Sequence, residues 1–151
     1  MVHFNGEAIR ASHYPSAHTD GDAVIHFKGS NVIHTGDLFF SGLFPFIDLN
    51  SGGSVQGYLE AVQTVYAHAA DDGKVIPGHG PLSTKEDLAV YITMLKETST
   101  LIEKRLSSGL SLDETKAAGL PDSWASWGSG FITAERWIET LYKSYGNGGS
   151  E

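Results

Sequence analysis

Three short segments set metal-capable side chains beside glycines: Ala17-His18-Thr19-Asp20-Gly21-Asp22, His34-Thr35-Gly36-Asp37 and Pro77-Gly78-His79-Gly80-Pro81. Imidazole nitrogen and carboxylate oxygen suit zinc and neighbouring transition metals, and a catalytic centre takes about three protein ligands plus an open position for water. His18, Asp37 and His79 therefore read as candidate ligands of a hydrolytic metal centre. His79 is the most specific of the three, because the flanking Gly and Pro fix a backbone that has no structural need for histidine. Asp20 and Asp22 are better placed to take the free ring N–H of a ligating histidine and orient it, or to form the turn, than to bind metal themselves. No separate catalytic residue stands out.

The ordinary readings compete: His18 as a polar loop residue, Asp37 as a turn residue after Gly36. What favours a site is the set of elements that must carry these residues. Residues 2 to 10 alternate about an Asn5-Gly6 turn, and Ala23 to Phe27 and Asn31 to His34 form a second hairpin through Lys28-Gly29-Ser30. That hairpin brings His18 and Asp37 to one end of the sheet, a few residues out of register, and sets His26 opposite His34 as a structural pair. From Ser54 to Ala70, Val55, Tyr58, Leu59, Val62, Val65, Tyr66 and Ala69 follow helical spacing. A strand Lys74-Val75-Ile76 then stops at Pro77, leaving His79 in the loop beyond. Ser83-Thr84-Lys85-Glu86 has capping-box form and opens a long helix marked by Leu88, Tyr91, Ile92, Leu95, Leu101, Ile102 and Leu106 and ending at Gly109, Ser111 to Glu114 opens a short one, and Ala134 to Tyr145 forms the last. His3, His13 and His68 read as surface or loop residues, and Phe39, Phe40, Phe44, Phe46, Trp124, Trp127 and Phe131 mainly as core, with some available to wall a pocket.

The order His18, Asp37, His79, with Leu38-Phe39-Phe40, Phe44-Pro45-Phe46-Ile47-Asp48, Gly52-Gly53-Ser54 and Gly128-Ser129-Gly130-Phe131-Ile132, resembles the second half of the metallo-β-lactamase superfamily over roughly residues 3 to 145. The likeness is to the glyoxalase II-like members, whose bridging ligand is aspartate; this chain has Asp37 and no cysteine. The HxHxDH segment that opens the family's metal site occurs nowhere in these 151 residues. The resemblance implies an α/β (α+β) chain forming half of an αββα sandwich, with a mixed or antiparallel sheet and packed helices over residues 1 to 145 and a flexible tail over 146 to 151. It further implies that His18 is the last histidine of the first metal site, Asp37 the bridging carboxylate and His79 the second-site histidine. The family's chemistry is hydrolysis of esters, thioesters or amides by metal-bound hydroxide. With its ligand set incomplete, the isolated chain is expected to hold zinc weakly or not at all and to be inactive alone. The alternative is a non-catalytic, stand-alone half-fold module that dimerises or binds a small ligand.

Length and charge narrow the partners. A chain of 151 residues suffices for one domain. A net charge of -8, with ten scattered Lys and Arg, gives no stripe for a phosphate backbone, so nucleic acid is excluded as the expected partner. No run approaches the roughly 20 apolar residues that cross a bilayer, and Met1 to Arg10 lacks the apolar core of a secretory signal. The expectation is a cytoplasmic protein that does not engage membranes, with the proviso that a parent protein's signal would be lost with its first half. A half-fold leaves an apolar sheet face uncovered, so the expected partner is a second copy in a homodimer or the missing N-terminal half, with a small molecule as substrate.

Overall fold

Period-two alternation and helical spacing resolve into one sheet with helices packed on one of its faces. The computed structural model describes residues 1–146. Five strands, β1 (Val2–Phe4), β2 (Glu7–Tyr14), β3 (Asp22–Phe27), β4 (Val32–Phe40) and β5 (Lys74–His79), lie side by side in chain order. The first four are antiparallel neighbours; β5 joins β4 in parallel, which requires the crossover supplied by α1 (Val55–His68). Then follow α2 (Lys85–Ser107), α3 (Leu112–Ala118) and α4 (Ala134–Gly146), with 3-10 turns at Leu49–Ser51 and Asp122–Ser129.

The mixed sheet with packed helices is the expected fold class, and its details correct several expectations. In the β3–β4 hairpin, His26 faces Ile33 and His34 faces Ile25, so the two histidines are one position out of register and on opposite faces of the sheet. β4 runs on to Phe40, which makes Asp37 a strand residue rather than a turn residue. β5 passes through Pro77 to His79; Pro77 is tolerated because β5 is an edge strand and the ladder is irregular opposite Gly36. The capping box of α2 is shifted by one: Thr84 is the cap and Asp87 closes the box, while buried Ser83 pairs with Val75 and donates to the Ser41 hydroxyl. The box of α3, Ser111 with Glu114, forms where expected. Gly146, expected in the tail, ends α4; residues 147–151 lie outside the described residues.

Strand alternation sorts the sheet into two unlike faces. Val24, Ile33, Thr35 and Val75 point to the helices and are buried. Beneath α1, α2 and α4, the core is built on Tyr58, Tyr91, Phe39, Phe44, Leu38, Leu95 and Trp137. The opposite face carries Val2, Phe4, Ile9, Ile25, Phe27, Val32 and Ile76. Among the described residues no helix covers it: Val2 and Phe4 are 64% and 69% exposed, and the others are half-buried.

Candidate metal centre

His18 comes from the loop between β2 and β3, Asp37 from β4 and His79 from the end of β5, and all three meet at one end of the sheet. His18 Nε2 lies 3.4 Å from Asp37 Oδ2, and His79 Nε2 lies 3.4 Å from Asp37 Oδ1. Each histidine thus addresses its own oxygen of a single carboxylate. Both separations exceed the roughly 2.7–2.9 Å of a charge-assisted hydrogen bond. Among the described residues, no three His, Cys, Asp or Glu side chains converge so as to hold one ion. What forms instead is two pairs sharing Asp37.

Local structure explains each position. His18 Nδ1 is 2.7 Å from the Phe46 carbonyl, and the His18 carbonyl accepts from the Asp48 amide at 2.8 Å, so the 44–54 loop grips both ring and backbone. Of the two roles expected for Asp20 and Asp22, orienting the His18 ring falls to a backbone carbonyl instead, and forming the turn is what Asp22 does. The Asp22 carboxylate takes the Thr19 amide in a local turn, and Asp20 engages through its backbone, donating to Ser51 and accepting from His13. The Asp48 carboxylate is also committed, since the Ser51 hydroxyl and the Asn50 and Ser51 amides hold its pKa below the ordinary range.

Asp37 sits within irregular pairing between β4 and β5, where the register slips on both sides of Gly36 and before Phe40. Such bulges re-aim side chains, and here the slip turns the carboxylate out to the sheet end. Gly78 makes room for it: a Cβ at that position would collide with Asp37 Oδ1 and come within 2.7 Å of the Gly36 carbonyl. His79 is 57% exposed, and its ring stacks on Phe40 with centroids 4.7 Å apart.

Two further residues serve the site and were read from the sequence only as core. The Tyr58 hydroxyl donates to the Asp37 carbonyl at 3.1 Å and lies 2.8 Å from the Tyr91 hydroxyl. A carbonyl can only accept, so Tyr58 spends its proton there and Tyr91 donates to Tyr58. Tyr91 in turn accepts from the Phe40 backbone N–H. The relay Phe40 to Tyr91 to Tyr58 to Asp37 thus ties both ends of the irregular segment to the helix layer. Burial pushes both phenol pKa values up, so both hydroxyls keep their protons. Their sequence signal was only tyrosine at core positions of successive helices.

Beside the two His–Asp37 pairs opens a cleft of about 260 Å³ lined by His18, Asp37, His79 and the apolar side chains of Phe40, Leu43, Phe44, Phe46, Phe131 and Ile132. Phe39, Phe44 and Trp124 are core as expected, while Phe46 and Phe131 stand at the mouth.

The model of the metallo-beta-lactamase superfamily matches residues 5–87, more than half of the chain. The chain belongs to that superfamily. Among solved structures, it resembles the stereoselective inverting sec-alkylsulfatase Pisa1 from Pseudomonas sp. at 16% identity and a TM-score of 0.75, covering 95% of this chain and 25% of that one. It also resembles a metallo-beta-lactamase from Pontibacter korlensis at 16% identity and a TM-score of 0.55, covering 63% of this chain and 44% of that one. At such identities the likeness shows the metallo-beta-lactamase fold. The chain spans less than half the length of either superfamily neighbour. A comparison with curated proteins returns no match.

Proposed function

We propose that this chain is the C-terminal half of a metallo-β-lactamase-fold, zinc-dependent hydrolase of esters, thioesters or amides, with His18 and Asp37 holding one ion, Asp37 and His79 a second, and a covering surface supplying the remaining ligands. The observation that carries the reading is the spacing. Two ligand atoms about 2.0–2.1 Å from one tetrahedral zinc stand about 3.3–3.4 Å apart, and both His–Asp37 separations are 3.4 Å. The mixed imidazole and carboxylate donors suit zinc as well. Zinc in such a site supplies Lewis-acid polarisation of a carbonyl and acidification of a coordinated water.

The chain's own residues hold and orient. The Phe46 carbonyl accepts the His18 Nδ1–H, which leaves Nε2 as the lone-pair nitrogen facing Asp37. Phe40 fixes the plane of His79, and the tyrosine relay fixes the backbone of Asp37. Each pair provides two donors where a catalytic zinc takes about three plus water, so a single copy is expected to bind zinc weakly and turn over little. The uncovered face of Val2, Phe4, Ile9, Ile25, Phe27, Val32 and Ile76 supports a partner: either the complementary N-terminal half or a second copy of this chain. A dimer with no metal would instead favour the non-catalytic module.

Zinc titration calorimetry on the chain and three variants tests the assignment. His18→Ala and His79→Ala should each remove one binding event, and Asp37→Asn should weaken both. Zinc binding untouched by all three substitutions, or absent at millimolar zinc even after the partner surface is covered, overturns it.

A further inference from the structure

Phe131 is 75% exposed and Phe46 38% exposed, although both are large and apolar. They meet edge to face with centroids 6.5 Å apart, Phe46 also stands edge-on to His18 at 5.7 Å, and the Arg136 guanidinium lies 4.9 Å above the Phe131 ring. Phe131 is therefore held in place by two neighbours while most of its surface remains in water. The ordinary reason for ordering an aromatic ring, burial in a core, does not apply here. Its placement does: the two rings continue the apolar wall of Phe40, Phe44 and Ile132 outward from the His18, Asp37 and His79 cluster.

We infer that Phe46 and Phe131 form the specificity-determining wall of this site, and that the substrate carries a compact, uncharged alkyl or acyl group next to the bond to be cleaved. The inference rests on the hydrolytic reading above for its word "substrate"; the apolar subsite itself does not. Ligand pockets run roughly 300–1,000 Å³ and are mostly apolar with a few convergent polar groups. At about 260 Å³ this one is small. Allowing roughly 30 Å³ for each water-sized group, it has room for on the order of eight heavy atoms. The polar side chains lining the cleft are His18, Asp37 and His79, so a ligand enters with its reactive, polar end toward Asp37 and its apolar end between Phe46 and Phe131. A longer or charged tail would have to leave the cleft past Phe131.

The test uses the full chain and straight-chain carboxylates as product-like probes: acetate, butanoate, hexanoate and octanoate, titrated by calorimetry and by NMR with zinc and again with a chelator. Affinity should rise about two- to fourfold per methylene up to hexanoate, whose carbon and oxygen atoms fill the cleft, and level off at octanoate. Phe131→Ala and Phe46→Ala should flatten that dependence; both rings are exposed enough that the fold survives their loss, which circular dichroism checks. His79→Ala should lower the affinity of every probe by a similar factor in the presence of zinc and leave the chain-length dependence intact. A flat series in the unmodified chain, or a dependence unchanged in both phenylalanine variants, overturns the inference. If the dependence holds while zinc and His79→Ala change nothing, the apolar subsite stands and the metal reading fails.

Discussion

Replacing Tyr58 by Phe removes one oxygen from a fully buried ring, and the consequence can be worked from the relay. Tyr58 and Tyr91 are both 0% exposed, so no water replaces the lost partner. In Tyr58→Phe, the Asp37 carbonyl loses its donor and the Tyr91 proton loses its acceptor. Leaving a buried polar group unsatisfied costs about 1–3 kcal/mol. Two such groups, with some relaxation, give a loss of about 2–4 kcal/mol, or a fall in Tm of roughly 4–16 °C for a chain of this size. Tyr91→Phe orphans only the Phe40 N–H and should cost less, about 1–2 kcal/mol. The two substitutions share one hydrogen bond, so the double variant should lose at least 0.5 kcal/mol less than the sum of the singles. Urea unfolding followed by tryptophan fluorescence measures all three. Losses below about 0.5 kcal/mol for Tyr58→Phe, or strict additivity in the double variant, would refute the relay and the claim that it anchors the Asp37 segment.

Gly78→Ala should push the Asp37 carboxylate out of its place, because the added methyl meets its Oδ1 and the Gly36 carbonyl; we expect a loss of about 1–3 kcal/mol and weaker zinc binding, both read by calorimetry. Glu139 is bridged by Lys116 and then by Lys143, which lower its pKa from 4.5 to about 2. A lowered carboxylate pKa stabilises the fold above the unfolded value and ceases to do so as pH falls from about 4.5 through about 2. Glu139→Gln should therefore destabilise modestly at pH 7, by less than about 1 kcal/mol for so exposed a pair, and not at pH 2; equal losses at both pH values would contradict this. Phe4→Lys on the open sheet face should weaken self-association in sedimentation experiments without lowering the Tm of the monomer, and an unmodified chain that is monomeric at micromolar concentration removes the second-copy reading.

The hairpins, α1, the box of α3 and the edge position of His18, Asp37 and His79 were all legible, because each rests on a local rule: turn chemistry, helical spacing or a cap. The faults lie where tertiary pairing overrode a local signal. Pro77 should end a strand, yet β5 continues to His79 because it is an edge strand and its ladder with β4 is irregular where Pro77 meets Gly36. Asp37 after Gly36 looks like a turn, and only the parallel pairing with β5 keeps it in β4. A distant backbone partner is equally invisible to spacing: the partner of the His18 ring is the carbonyl of Phe46, 28 positions on, and backbone carbonyls carry no sequence signature. For the same reason Asp20 and Asp22, next door in sequence and of the right chemistry, were the natural expectation. Tyr58 and Tyr91 were placed correctly and understood incompletely, since periodicity reports where a ring points and says nothing of its hydroxyl.

A carboxylate whose two oxygens face two different histidines bears on assembly. In the reading proposed here, each ion is held partly by this chain and partly by whatever covers it, so occupancy and association are one linked equilibrium. Whatever factor the covering surface adds to zinc affinity, zinc must return to the affinity for that surface. Metal then acts as an adhesive at the seam, and a chelator becomes a means of parting it: the association constant measured at any moment is a report on free zinc.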